Sequence, residues 1–64
     1  SPKTVGEVNF LITELLQRYR HAHGLSYATC NDCLGALEGA KLEFYRRVVV
    51  PYEEIQRAAN GDVY

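Results

Sequence analysis

Positive charges and aromatic rings are concentrated in the segment 41–52, and this combination suits the binding of a phosphorylated nucleotide. The segment contains Lys41, Tyr45, Arg46, Arg47 and Tyr52. Guanidinium groups bind phosphate through paired hydrogen bonds, and tyrosine rings stack on bases. Because Tyr45, Arg46 and Arg47 are adjacent, a helix spreads them over more than half of its circumference at about 100° per residue. We therefore expect some of them to lie where the core meets water.

The start of the first predicted helix adds a second element that favours anions. Thr4 and Glu7 have the spacing of a capping box. The free backbone N–H groups of a first helical turn bind phosphate. If the first two helices form an antiparallel hairpin, Lys3 and Thr4 lie beside residues 41–47. We expect Lys3 and Thr4 to belong to the same binding site.

The C-terminal residues 60–64 complete this hypothesis as a tail that closes over the ligand. Asp62 would accept a hydrogen bond from a base or ribose, and Tyr64 would add another ring. A simpler interpretation of the whole cluster stays open. In that interpretation Arg46 and Arg47 pair with Glu43 or Glu53 on a solvated helix face, and the tyrosines fill the core.

Other residue clusters have less specific spacing. The basic residues 17–23 lie near the end of the first predicted helix, where cations complement the helix dipole. In an oligomer this basic patch could meet the segment 41–47 across a subunit boundary. The His21-x-His23 pair diverges by about 200° on a helix, and Cys30-x-x-Cys33 supplies only two further ligands. We expect core cysteines, no metal site and no cofactor.

The sequence has none of the motifs that would indicate an enzyme. It contains no glycine-rich phosphate loop, no nucleophile elbow and no paired-carboxylate motif. A chain of 64 residues also leaves little room to enclose a substrate within one subunit. We expect a binding protein without catalytic activity.

The predicted fold is all-α, an antiparallel helical hairpin followed by a short third helix. Apolar residues at spacings of three and four predict a first helix over 5–23, closed by Gly24. After a short link, capped by Ser26 or Thr29, we expect a second helix over 27–49. Proline biases the preceding residue against helix, so Val50 should end or kink the second helix.

Three further features bear on this prediction. A third helix over 52–59 should follow Pro51 and end at Asn60-Gly61. The run Val48–Val50 could instead form a short strand. Gly35 and Gly39, four residues apart, would allow another helix to approach closely.

Size and composition favour an oligomer. Of the 64 residues, 47% are apolar and 23% charged, which is typical of a larger globule. A chain of this length buries only roughly 60% of its unfolded surface. We expect copies to share a core, with a compact monomer as the alternative.

Charge and hydropathy restrict the partners and the location. The net charge is −1 and the pI about 6.0, which argues against a general nucleic-acid-binding protein. A local positive patch on such a protein suits a small anion better. The sequence shows no signal peptide and no apolar run of the roughly 20 residues that cross a bilayer. Cys30 and Cys33 without secretory context indicate a reducing cytosol.

Several strings of residues resemble a small family of phage-encoded proteins. They are Gly35–Glu38, Lys41–Val49, Pro51–Glu53 and Asn60–Tyr64, with Thr4–Asn9 also similar. The resemblance is clearest over 34–64 and implies a phage protein acting in the cytoplasm of the infected bacterium. In outline the chain is also similar to the oligomeric "sponges" with which phages sequester the nucleotide messengers of bacterial immunity.

Two functions follow as hypotheses. The first is sequestration of a cyclic oligonucleotide or ADP-ribose-type signal at subunit boundaries, which the basic and aromatic segment favours. The second is a helical interaction module that blocks a host protein, which the surplus of apolar residues favours. A structural phage component has no specific support in the sequence.

Overall fold

The computed structural model describes residues 1–61 and arranges them as two antiparallel helices. The first helix, α1, spans Val5–His23. The second helix consists of α2 (Tyr27–Phe44), a π-helical turn (Tyr45–Val49, the π turn) and α3 (Val50–Asn60). The described part of the chain contains no strand, so the all-α prediction is confirmed and Val48–Val50 are helical.

Local capping determines where α1 begins and ends. The backbone N–H of Glu7 donates to the Thr4 hydroxyl at 3.1 Å, and the Glu7 carboxylate accepts from the Thr4 N–H at 3.1 Å. Gly24 has φ of 85° and ψ of 158°, and its N–H donates to the Arg20 carbonyl at 2.7 Å. This conformation is essentially restricted to glycine. The predicted bounds of α1 are confirmed.

A serine cap starts the second helix. The Ser26 hydroxyl oxygen accepts from the Thr29 N–H at 3.1 Å, which identifies Ser26 rather than Thr29 as the cap. The Thr29 side chain folds back against this turn and is the one buried residue among residues 1–61. The link between the helices is therefore a tight turn held by polar contacts.

The predicted kink of the second helix near Val50 is confirmed, whereas the prediction of a separate third helix is wrong. Val49 and Val50 keep helical dihedral angles, so the chain continues into α3 as one kinked helix rather than a separate helix over 52–59. The Val50 N–H donates to the Tyr45 carbonyl, five residues back. Pro51 has no N–H, and its ring crowds the carbonyl four residues before it. The wider π turn accommodates the proline without breaking the helix.

The hydrogen bonds between the helices lie in the half of α1 next to the turn. The Tyr19 hydroxyl donates to Asp32 Oδ2 at 3.0 Å, and the Cys33 thiol lies 3.9 Å from the Leu16 carbonyl oxygen. No residue of α1 has its Cα within 8 Å of the π turn or of α3. The π turn and α3 therefore extend beyond the region in which α1 packs against the second helix.

The isolated chain is elongated, and its residues 1–61 enclose no core. Its radius of gyration is 16.5 Å, whereas a compact domain of this length has about 11 Å. No apolar side chain in residues 1–61 is buried.

Cys30 is exposed and Cys33 half-buried, so the expectation of core cysteines is wrong for Cys30 in this chain. No helix in the described residues is long and apolar enough to cross a membrane.

The helical glycines do not bring two helices of one chain together. A Cβ placed at Gly35 or Gly39 would meet no atom within 4 Å outside its own turn. Close approach of another helix at these glycines, as predicted from their spacing, does not occur within the chain.

We expect Gly24→Ala to destabilise the hairpin by about 1–3 kcal/mol, because alanine is strained at the dihedral angles of Gly24. Gly6→Ala is the matched control, since its added Cβ meets only the Thr4 hydroxyl at 3.7 Å, an ordinary contact. Urea unfolding at one protein concentration, followed by circular dichroism, measures both. Equal stability of the two variants would contradict the role of Gly24.

We expect the pKa of Tyr19 to lie above the usual tyrosine value of 10.0, chiefly because its hydroxyl donates to the Asp32 carboxylate. The folded chain then holds this proton more tightly than the unfolded chain does. The stability from this contact is present below pH 10 and is lost as the pH rises through the raised pKa. An NMR titration of the Tyr19 ring measures the shift, and Asp32→Ala should lower the pKa toward 10.0. An unchanged titration in Asp32→Ala would rule out the contact.

Candidate functional site

The basic side chains of the segment 41–47 project into solvent and pair with neighbours on the same helix. Arg46 Nη2 lies 2.6 Å from Glu43 Oε1, and Arg47 Nε lies 3.3 Å from the same oxygen. Lys41 Nζ lies 3.5 Å from Glu38 Oε2. The side chains of Lys41, Arg46 and Arg47 are 74%, 71% and 75% exposed. The ion pairs of the simpler interpretation therefore form on Glu43, not on Glu53.

These pairs leave the segment with a surplus of positive charge. Two guanidinium groups share one carboxylate, so the Glu43 cluster carries a net charge of +1. Exposed ion pairs contribute only about 0–1 kcal/mol each, whereas a phosphate offers several oxygens to two guanidinium groups. An incoming phosphate can thus compete with Glu43 for Arg46 and Arg47.

The two tyrosines are surface residues rather than core residues. Tyr45 is 50% exposed and begins the π turn, while Tyr52 is 58% exposed and lies in the first turn of α3. Seven helical residues span about 10 Å along the axis. This is about three times the spacing of about 3.4 Å between adjacent stacked bases. The two rings are suited to separate bases, or to a base and a ribose, rather than to one shared stack.

The start of α1 does not meet this segment within one chain. The antiparallel contact of Leu16 with Cys33, extended along the pair, brings Thr4 to about the level of Tyr45. However, no Cα of α1 lies within 8 Å of the π turn. Among the described residues, no hydrogen bond or ion pair joins Lys3 or Thr4 to residues 41–47.

The capping box also changes the charge that an anion would meet at the start of α1. The Glu7 carboxylate accepts from the backbone N–H groups of Lys3 and Thr4. A carboxylate at this position already satisfies the helix dipole and repels a second anion. The predicted residues Asp62 and Tyr64 lie outside the described residues.

The basic end of α1 has its own local contacts. Arg20 Nε donates to Gln17 Oε1 at 2.8 Å, and the rings of Tyr19 and His23 lie 4.2 Å apart, centroid to centroid. Arg20, His21 and His23 occupy the last turn of α1, where cations complement the helix dipole. Residues 1–61 contain no group of three or more His, Cys, Asp or Glu side chains placed to hold a metal ion.

The structure adds a feature that the sequence reasoning missed, an open apolar groove between the two helices. The groove has a volume of about 780 Å³, with Val8 and Ile12 on one side and Leu37, Phe44 and Val49 on the other. Lys41 and Tyr45 also line it, so it adjoins the basic and aromatic segment. The apolar spacing of α1 indicates one wall of this groove, but the sequence does not show how far apart the two helices lie.

Comparison with known proteins identifies a family but no activity. No curated protein matches the chain, and no solved structure matches it. One family model matches residues 1–63, almost the whole chain. The chain therefore belongs to the family described as a domain of unknown function (DUF6899).

Proposed function

We propose that this chain is a phage-encoded binding protein that sequesters a nucleotide immune signal in the cytoplasm of the infected bacterium. The ligand class is a cyclic oligonucleotide or an ADP-ribose-type molecule, bound where copies of the protein meet. Sequestration needs self-association, cations for phosphate and rings for bases, and it needs no catalytic group.

One observation carries this proposal: three exposed cations and two half-exposed tyrosines lie within about three turns of one helix. In the proposed complex Arg46 and Arg47 exchange Glu43 for phosphate oxygens, and Lys41 adds a further positive charge. Tyr45 and Tyr52 stack on separate bases. The net charge of −1 over the whole chain favours a small anion over a long nucleic acid.

The proposed contact from the start of α1 requires a second copy. Within one chain α1 has no Cα within 8 Å of the π turn. The Lys3 side chain would therefore reach the ligand from a neighbouring copy, while Thr4 stays engaged in the capping box. The predicted contacts of Asp62 and Tyr64 remain part of the proposal, although these residues lie outside the described residues. The proposed site is thus a subunit boundary.

A second candidate function is a helical interaction module that inhibits a host protein directly. It is favoured by the exposure of large apolar side chains along both helices, including Phe10, Leu15 and Phe44 at 61% or more. Contiguous apolar surface of this kind marks protein interaction sites.

We expect the protein to bind at least one member of a panel of cyclic oligonucleotides and ADP-ribose derivatives with micromolar or tighter affinity. The double substitution Arg46→Gln/Arg47→Gln should weaken binding at least about tenfold, because it removes both phosphate-binding guanidinium groups. Isothermal titration calorimetry measures the change. Raising the salt concentration should weaken binding of the unsubstituted protein.

The matched control is Arg18→Gln/Arg57→Gln, which removes the same charge from α1 and α3 outside the segment. It should retain the original affinity. No binding by a folded protein, or equal loss in both double variants, would refute the proposal. A stoichiometric host protein captured from infected-cell lysate, with no nucleotide uptake, would support the second candidate instead.

A further inference from the structure

The isolated chain exposes far more surface than a compact protein of its mass. A folded monomer of 7.2 kDa exposes about 4,100 Å², whereas this chain exposes 5826 Å². The excess is about 1,700 Å² per chain. Two copies that covered this excess would bury about 3,400 Å² in total, within the range of obligate homodimers. The excess exposed area of two chains therefore equals the area that a dimer interface buries.

The apolar groove is the part of the surface that offers this burial. Its walls are the inward faces of α1 and of the second helix, which carry Val8, Ile12, Leu37 and Phe44. These four side chains are 39%, 37%, 36% and 61% exposed. Both faces open into one groove, so a single partner can cover them together.

The charges around the groove permit a second copy of the same chain. Lys41 is the one charged residue that lines the groove, and its ammonium lies 3.5 Å from Glu38. Two such surfaces bring together mainly apolar side chains, and a net charge of −1 per chain adds little repulsion. A chain of 64 residues is marginally stable on its own and is commonly stabilised by association. A second copy is always available as the partner, because every cell that makes the chain makes many copies.

We propose that a second copy of this chain occupies the groove, face to face around a twofold axis, and that the two hairpins form a four-helix bundle. Each hairpin contributes two helices, and a twofold axis makes one self-complementary surface serve both copies. This inference deepens the proposed function by naming its subunit boundary, and it rests on that function only for the ligand. Tyr45 and Lys41, at the groove, then stand at the edge of the dimer interface.

A pair of phenylalanines provides a matched test. Phe44 lines the groove and is 61% exposed, whereas Phe10 is 64% exposed and lies outside the groove lining. Sedimentation equilibrium should give twice 7.2 kDa for the unsubstituted protein and for Phe10→Gln. Phe44→Gln should weaken the dimer at least about tenfold, because each interface loses two large apolar side chains.

A second measurement keeps the test decisive if Phe44→Gln does not fold. The melting temperature of the unsubstituted protein and of Phe10→Gln should rise with protein concentration, as it does when folding and association are coupled. A concentration-independent melting temperature, the mass of one chain, a mass above that of a dimer, or equal effects of the two substitutions would each overturn the inference. A monomer that takes up a host protein in the groove would also overturn it.

The outcomes separate this inference from the proposed function. A dimer that binds no nucleotide refutes the proposed ligand and leaves the interface standing. A monomer that binds nucleotide refutes the interface and the location of the site at a subunit boundary, and it leaves the proposed ligand class standing.

Discussion

The structure depends on one constraint, which is that a hairpin of two helices in a 64-residue chain cannot enclose its own apolar side chains. Two helices share a single line of contact, and a core needs atoms on every side. The described residues accordingly contain no buried apolar side chain. The polar contacts at the turn set the arrangement of the helices, and the apolar faces are left for another molecule to cover.

The π turn also determines the shape of the molecule, because it keeps α2 and α3 in one continuous helix. A break at Pro51 would have let the last eleven residues of the helix fold back onto the hairpin and cover part of the groove. The π turn instead absorbs the missing N–H of Pro51 within the helix. The same turn presents Tyr45, Arg46 and Arg47 to solvent beside the open groove. The basic and aromatic segment and the apolar groove are therefore neighbours, and Pro51 does not cause the last turns of the helix to cover the groove.

Features that depend on local chemistry were predictable from the sequence. The capping box of Thr4 and Glu7, the glycine at position 24 and the apolar spacing of α1 predicted its bounds correctly. The ion pairs of Arg46 and Arg47 with Glu43 were one of two interpretations, because side chains three and four residues apart meet on any helix. The wrong prediction of a separate third helix concerns the chain beyond Phe44, where the choice between a break and a kink depends on how the backbone accommodates Pro51.

The sequence by itself determined that the chain is all-α, where α1 begins and ends, and which side chains could bind phosphate or a base. These properties follow from contacts between residues within about one helical turn of each other, and the spacing of residues in the sequence shows such contacts directly. Only the tertiary structure decided that Lys3 and Thr4 do not meet the basic segment within one chain, that Cys30 is exposed, and that the apolar faces form an open groove. Those properties depend on how far apart the two helices lie and how long each one is, and neither quantity is a local property of the chain.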